Sequence, residues 1–194
     1  VLYATGRRPN TANIGLENTD IKSNERGAIV VNDNCESSVP GVYAVGDVNG
    51  GPQFTYISLD DFRIVFGVLT GNGNYTLKDR KNIPYTTFLT PPLARVGLTE
   101  QEAINKGYTV KTKEMLVATM PRAHVNDYLK GAFKIVVDAE NDLILGATLY
   151  SQGAEELINL IKMAMDNNIP YTYFKNQIVS HPTMAVNLND LCNF

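Results

Sequence analysis

Cysteine is scarce in this sequence. It occurs only at Cys35 and Cys192, far apart and in no CxxC or metal-ligand spacing, which argues against a disulfide framework or a metal site and fits a cytoplasmic protein. Positive charge is not in surplus either. With 17 Lys and Arg against 20 Asp and Glu, the formal charge is -3, so neither nucleic acid nor an anionic membrane is attracted to the chain as a whole. Long apolar runs are also missing: stretches such as 64–69 and 135–137 fall far short of the roughly 20 residues needed to cross a bilayer. No membrane span is expected. The chain opens on Val1-Leu2-Tyr3-Ala4 with no charged segment or apolar signal core before it, so a fragment of a longer protein is expected.

What is present suits one good core or two modest ones, with 44% hydrophobic residues in 194. The first 80 residues differ from the rest. Residues 1–4, 29–31 and 42–45 are short apolar runs between turn-prone stretches and predict strands. From Ile57 to Leu69, the residues Leu59, Phe62, Val65, Phe66 and Leu69 recur at helical spacing, predicting one amphipathic helix ended by Gly71-Asn72-Gly73-Asn74. The polar stretch that follows places a domain boundary near residue 80, giving units 1–80 and 81–194.

Beyond it, 85–89 and 108–117 read as strands, and Thr99-Glu100-Gln101-Glu102 has capping-box spacing before a short helix that Gly107 would stop. Residues 132–138 and 143–150 flank the turn Ala139-Glu140-Asn141-Asp142 and predict an antiparallel hairpin. A helix over 154–167 carries the stripe Leu157, Leu160, Ile161, Ala164 and Met165, and Pro170 limits it. This order predicts an α+β unit, an antiparallel sheet with helices on one side.

Two short motifs carry chemistry. Gly41-Val42-Tyr43-Ala44-Val45-Gly46-Asp47 delivers a carboxylate at the end of an apolar run, where α/β sheets hold ligands. Asp47 there can accept hydrogen bonds from sugar or ribitol hydroxyls, and Gly46 has no Cβ to obstruct an approaching ligand. The same residues also fit an ordinary strand-to-turn pair. The second motif is His181-Pro182-Thr183. Histidine titrates near neutrality and can exchange a proton with a thiol or stabilise a thiolate, although an isolated histidine is more often structural.

Ala4-Thr5-Gly6-Arg7-Arg8-Pro9-Asn10 followed by Gly41 to Asp47 resembles the pyridine nucleotide-disulfide oxidoreductases, the family of glutathione reductase, dihydrolipoamide dehydrogenase and mercuric reductase. The resemblance extends through Thr87 to Glu100, which is similar to the opening of that family's dimerisation domain. It implies that 1–80 is the C-terminal portion of an FAD-binding α/β domain and 81–194 the dimerisation domain of a homodimer. It further implies that Gly46, Asp47 and Thr55 bind the flavin. Asp47 would meet the ribitol, and the helix from Thr55 would point its N-terminus at the pyrimidine carbonyl, a placement its free N–H donors and partial positive charge suit. His181 is implied as the catalytic histidine that one subunit places beside the redox disulfide of the other.

There are departures. Phe54-Thr55-Tyr56-Ile57-Ser58 replaces the family's Leu-Thr-x-x-Ala pattern, and Val186 stands where a glutamate commonly orients the histidine, leaving Glu155, Glu156 or Asp190 as acids that could substitute. His124 lacks such support and is read as structural, and Cys192 as a buried or incidental thiol.

The chain contains neither a GxGxxG fingerprint nor a Cys-x4-Cys pair, so alone it is expected to be inactive. In the complete enzyme the resemblance implies electron flow from NADH or NADPH through FAD to a small disulfide or related acceptor. The rival readings are a non-catalytic dimerisation module and a single-cysteine flavoprotein oxidase or peroxidase, the latter disfavoured by His-Pro-Thr.

Overall fold

The computed structural model describes residues 1–194, which divide into two units, Val1–Arg80 and Lys81–Phe194.

The first unit is built around one long helix, α1 (Thr55–Thr70), closed by Gly71 at a left-handed φ of 71°. The expected strands are absent. Residues 1–4 have no ladder partner, and the other two runs make only single bridges, Ser23 to Ile29 and Glu36 to Tyr43. Ala44 N–H donates to the Cys35 carbonyl within the Glu36–Tyr43 bridge, and Ile29 N–H turns instead to the Val48 carbonyl. Without consecutive pairing no strand forms.

The expected apolar stripe of α1 is also corrected, because Leu59, Phe62, Phe66 and Leu69 are 43–67% exposed. The inward face is Ile57, Asp61 and Ile64, spaced by four and three residues. An aspartate on the buried face hides that face from any reading by hydrophobic period.

In the second unit, strands β1 (Tyr85–Thr87), β2 (Leu93–Gly97), β3 (Val110–Leu116), β4 (Ala132–Asp138) and β5 (Ile144–Tyr150) form one antiparallel sheet in the order β1-β2-β5-β4-β3. The fold class is α+β, as expected. β1 stops at Thr87, short of residue 89, and β3 is narrower than 108–117. The β4–β5 hairpin forms, with Asp138 accepting from the Glu140 amide and the Asn141 side chain to set its turn.

Side-chain alternation sorts the sheet into two faces. Ala94, Leu149 and Phe133 lie side by side in one row, Val96, Ala147 and Ile135 in the next, and all six are buried. Onto this face pack α4 (Ala154–Asp166), α5 (Tyr171–Asn176) and α6 (Asn187–Leu191), through Leu157, Ile158, Ile161, Ala164, Phe174, Leu188 and Leu191. Each large side chain buried here stabilises by about 1.5–3 kcal/mol. The stripe of α4 centres on Ile158 rather than Leu160, which is 37% exposed.

The opposite face carries the polar row Arg95, Thr148, Lys134 and Glu114. There Lys134 pairs with Glu100 at 2.7 Å, from α2 (Glu100–Asn105). The capping box of α2 forms as its spacing predicts, with Thr99 and Glu102 exchanging bonds. A short helix, α3 (Pro121–Val125), contributes Ala123 to the core. No helix is long and apolar enough to cross a membrane.

Candidate functional site

Gly46, Asp47 and Thr55 all lie in Val1–Arg80. Gly46 to Asn49 form a short 3-10 turn that lies against the first turn of α1: a Cβ added to Gly46 would come 2.7 Å from Ser58 Oγ. Gly46 also has a φ of 74°, so both backbone and packing call for glycine.

Asp47 follows on the exposed side of the turn, its carboxylate half-exposed and 3.7 Å from Arg7 Nη1. At the start of α1 the Phe54 carbonyl takes the amides of Ile57 and Ser58. The amides of Thr55 and Tyr56 precede the helical ladder and face no helical carbonyl. An acceptor-only carboxylate and a helix N-terminus with free donors therefore sit on adjoining turns, a donor and acceptor set that suits a ligand carrying both hydroxyls and an electron-rich carbonyl.

Residues that sequence reasoning missed hold this turn from inside. Asp61 is fully buried, and its Oδ2 accepts the Gly46 N–H at 2.7 Å and the Asn49 side-chain amide at 2.9 Å. Its Oδ1 faces Arg80 Nη2 at 2.5 Å, and Arg80 Nε reaches Asp60 at 2.7 Å. Burial alone would lower the Arg80 pKa, but the bonds to Asp61 and Asp60 outweigh it and raise the value. Burial, then the Asp61 charge, pushes the nearby Cys35 thiol up to about 11. The trace in the sequence is positional: Asp61 lies four residues after Ile57 and three before Ile64, a pattern that marks it once that face is known to be the buried one.

His181 lies in Lys81–Phe194 and is exposed. It occupies an irregular segment between α5 and α6, joined to Pro182 by a cis peptide. Neighbouring atoms fix the backbone here. Thr183 Oγ1 donates to the Ser180 carbonyl at 2.7 Å, and Arg122 Nη1 donates to the Pro182 carbonyl at 3.2 Å. Downstream, Asn189 Nδ2 donates to the Phe174 and Gln177 carbonyls at 2.7 and 3.0 Å, tying α6 to the end of α5.

No hydrogen bond or ion pair joins His181 to the acids considered in place of Val186. Glu156 and Asp190 are exposed, and Glu155 has a buried Oε2 without a hydrogen-bond partner. His124 is bonded through Nε2 to the Ala118 carbonyl at 2.8 Å. Cys192 is buried, its thiol pushed up by that burial to about 12.

Residues 83–191 match the family described as pyridine nucleotide-disulphide oxidoreductase, dimerisation domain, and residues 1–61 match pyridine nucleotide-disulphide oxidoreductase. The chain is 47% identical to the probable pyridine nucleotide-disulfide oxidoreductase RclA of Escherichia coli (strain K12), over 98% of this chain and 43% of that protein. It is 36% identical to a mercuric reductase of Staphylococcus aureus, over 97% of this chain and 34% of that one.

Among solved structures, the HOCl-induced flavoprotein disulfide reductase RclA from Escherichia coli superposes with a TM-score of 0.94 at 46% identity, covering 97% of this chain and 43% of the other. The chain thus spans less than half the length of these relatives. Both of its units match the same family, the larger one across its whole sheet and helical layer, and the chain belongs to the pyridine nucleotide-disulphide oxidoreductases.

Proposed function

We propose that the complete protein is a homodimeric flavoenzyme passing electrons from NADH or NADPH through FAD to a small disulfide or related acceptor, in the cytoplasm. Residues 1–80 supply the end of its FAD-binding domain and residues 81–194 its dimerisation domain. The observation that carries this reading is the pairing of the Asp47 turn with the N-terminal turn of α1, held at the Gly46–Ser58 approach.

FAD, when bound, supplies two-electron transfer between the nicotinamide and the thiol side of the reaction. The residues of this chain have separate tasks. Asp47 accepts hydrogen bonds from ribitol hydroxyls, Gly46 holds the backbone that presents it, and the first-turn amides from Thr55 donate to the ring carbonyl. His181, exposed at the surface of its own unit, takes or returns the proton of a thiol contributed by the other subunit. The outward stripe Leu59, Phe62, Phe66 and Leu69 is covered by the remainder of the FAD-binding domain, which removes an otherwise solvated apolar surface.

In the complete enzyme, His181→Gln slows the dithiol–acceptor half-reaction by about a hundredfold to ten-thousandfold while flavin reduction by NAD(P)H stays nearly intact. Stopped-flow measurement of the two half-reactions separates them. An unchanged acceptor half-reaction would return His181 to a structural role.

A second reading, a dimerisation module without catalysis, draws on the self-contained core of Lys81–Phe194. It describes this chain by itself. Sedimentation tests it: self-association at micromolar concentration is expected, and a strictly monomeric chain would sink both readings of this unit.

A further inference from the structure

We propose that Asp61 is a positioning residue for the flavin-holding turn, acting through Asp47, with Arg80 as the buried counter-charge that keeps it an acceptor. This rests on the reading of Asp47 and Thr55 given above.

The geometry has an unusual economy of contacts. The turn Gly46–Asn49 is gripped at both ends by a single carboxylate oxygen, which accepts the backbone N–H of Gly46 at 2.7 Å and the side-chain Nδ2 of Asn49 at 2.9 Å. Asp47 lies between those two points. Fixing the first and last residues of so short a turn fixes the direction in which the second projects its side chain. Asn49 spreads the hold further, since Nδ2 also reaches the Ala44 carbonyl at 3.3 Å and Oδ1 accepts the Gly51 amide at 3.0 Å. The segments entering and leaving the turn are thereby tied to the same buried point.

Only a side chain that offers acceptors alone fits there. Donors from Gly46, Asn49 and Arg80 converge on the two oxygens of a side chain with no solvent exposure. A carboxylate offers only acceptors, whereas an asparagine of the same shape would turn an NH2 toward at least one donor. A buried carboxylate without a partner would be strongly disfavoured, and Arg80, whose side chain is 10% exposed, supplies the partner. Asp60 completes the arrangement by accepting from Arg80 Nε and from the Tyr75 hydroxyl. Asp61 thus links α1 to the turn, and its charge-assisted bond to Arg80 holds it there.

The test is a double-variant cycle in the complete holoenzyme, reading FAD dissociation by loss of bound flavin fluorescence quenching. Asp61→Asn and Asp47→Ala are each expected to weaken FAD binding on the order of tenfold, the worth of one or two hydrogen bonds. The double variant is expected to bind FAD no more weakly than Asp47→Ala alone, because Asp61 acts only through Asp47. Additive losses would overturn the proposal, as would an Asp61→Asn enzyme with unchanged FAD affinity.

If Asp47→Ala itself leaves FAD affinity unchanged, the reading of the turn as a flavin site fails, a result distinct from failure of Asp61 alone. A general loss of fold is recognised by Cys35, buried in this unit, becoming open to alkylation in the FAD-loaded variant. In that case Asn49→Ala, which leaves the Asp61–Arg80 pair in place, is read in the same cycle with Asp47→Ala. Non-additivity there supports the clamp and additivity rejects it.

Discussion

In Lys81–Phe194 five paired strands lay an apolar face under three helices, whereas Val1–Arg80 has one helix, a set of turns and a buried charge cluster at its centre. The larger unit buries Phe133, Ile135, Leu149, Ile158, Ile161 and Leu188 almost completely. Among its larger aliphatic residues the smaller one buries Ile29, Ile57 and Ile64, and it turns Phe62 and Phe66 outward with their rings 5.7 Å apart. The difference teaches that the first unit is organised to shape a turn and the second to bury area. Stability at the first depends on hydrogen-bond geometry and at the second on volume.

The buried thiols give each unit its own reporter, Cys35 for the first and Cys192 for the second. The largest expected effect is that of Phe133→Ala. It removes a fully buried ring from the sheet's inner face and should cost about 3–5 kcal/mol. Denaturant titration with pulsed alkylation should show Cys192 exposed at much lower denaturant and Cys35 unmoved. If both thiols shifted together, the two units would not be independent and the comparison would break.

Gly46→Ala should follow. The alanine must adopt a φ of 74° and place its Cβ 2.7 Å from Ser58 Oγ, a strain of about 1–3 kcal/mol. Cys35 should become accessible earlier and Cys192 should not. Adding Ser58→Ala should relieve the crowding but not the backbone strain, so only partial recovery is expected.

At smaller scale, Thr99→Ala removes the N-cap of α2 and should cost about 1 kcal/mol, read as a shift in the Cys192 transition. The Thr99 amide and then its hydroxyl hold the Glu102 carboxyl below its ordinary value. That contribution is present above the unfolded carboxylate pKa and is lost as pH falls through the lowered folded one. The shift caused by Thr99→Ala should therefore shrink under acid conditions.

Alkaline pH acts on the thiols with the opposite sign. Both have an ordinary value of 9.0, raised to about 11 for Cys35 and about 12 for Cys192, so the folded state binds more protons between those limits. Stability is retained below 9 and declines as pH rises toward the folded values. Replacing Cys192 by alanine should flatten that decline.

The smallest effect belongs to the outward stripe of α1. Phe66→Ser changes a side chain that is 56% exposed, and in the 194-residue chain the expected change lies within about 0.5 kcal/mol. In the complete protein, where the stripe is proposed to be covered, the same substitution should cost more. Equal small losses in both would remove the proposal that the rest of the FAD-binding domain packs there.

Much of the second unit was legible in the amino-acid order. The turn between 132–138 and 143–150, the Thr99–Glu102 spacing and the stripe of α4 are short-range patterns, and the hairpin, the cap and the helix each form where they point. Even there, Ile158 rather than Leu160 faces the core, because the sheet's position relative to the helix decides which of two neighbouring residues is inside. The first unit was less legible. Val42 to Val45 has the composition of a strand, yet pairing is a property of two segments, and it makes a single bridge, Tyr43 with Glu36, rather than a ladder.

The sequence by itself determined the turn that carries Asp47 and the histidine motif at His181, since glycine, proline and the chemistry of the side chains are written residue by residue. The tertiary structure decided that Asp61, Asn49 and Arg80 meet behind that turn, and that Arg122 and Asn189 hold the segment around His181. These partners are 12 to 60 residues apart, and no local period relates them. Only the folding of α1 against its turn, and of α3 and α6 beside the His181 segment, brings their donors and acceptors within hydrogen-bond reach.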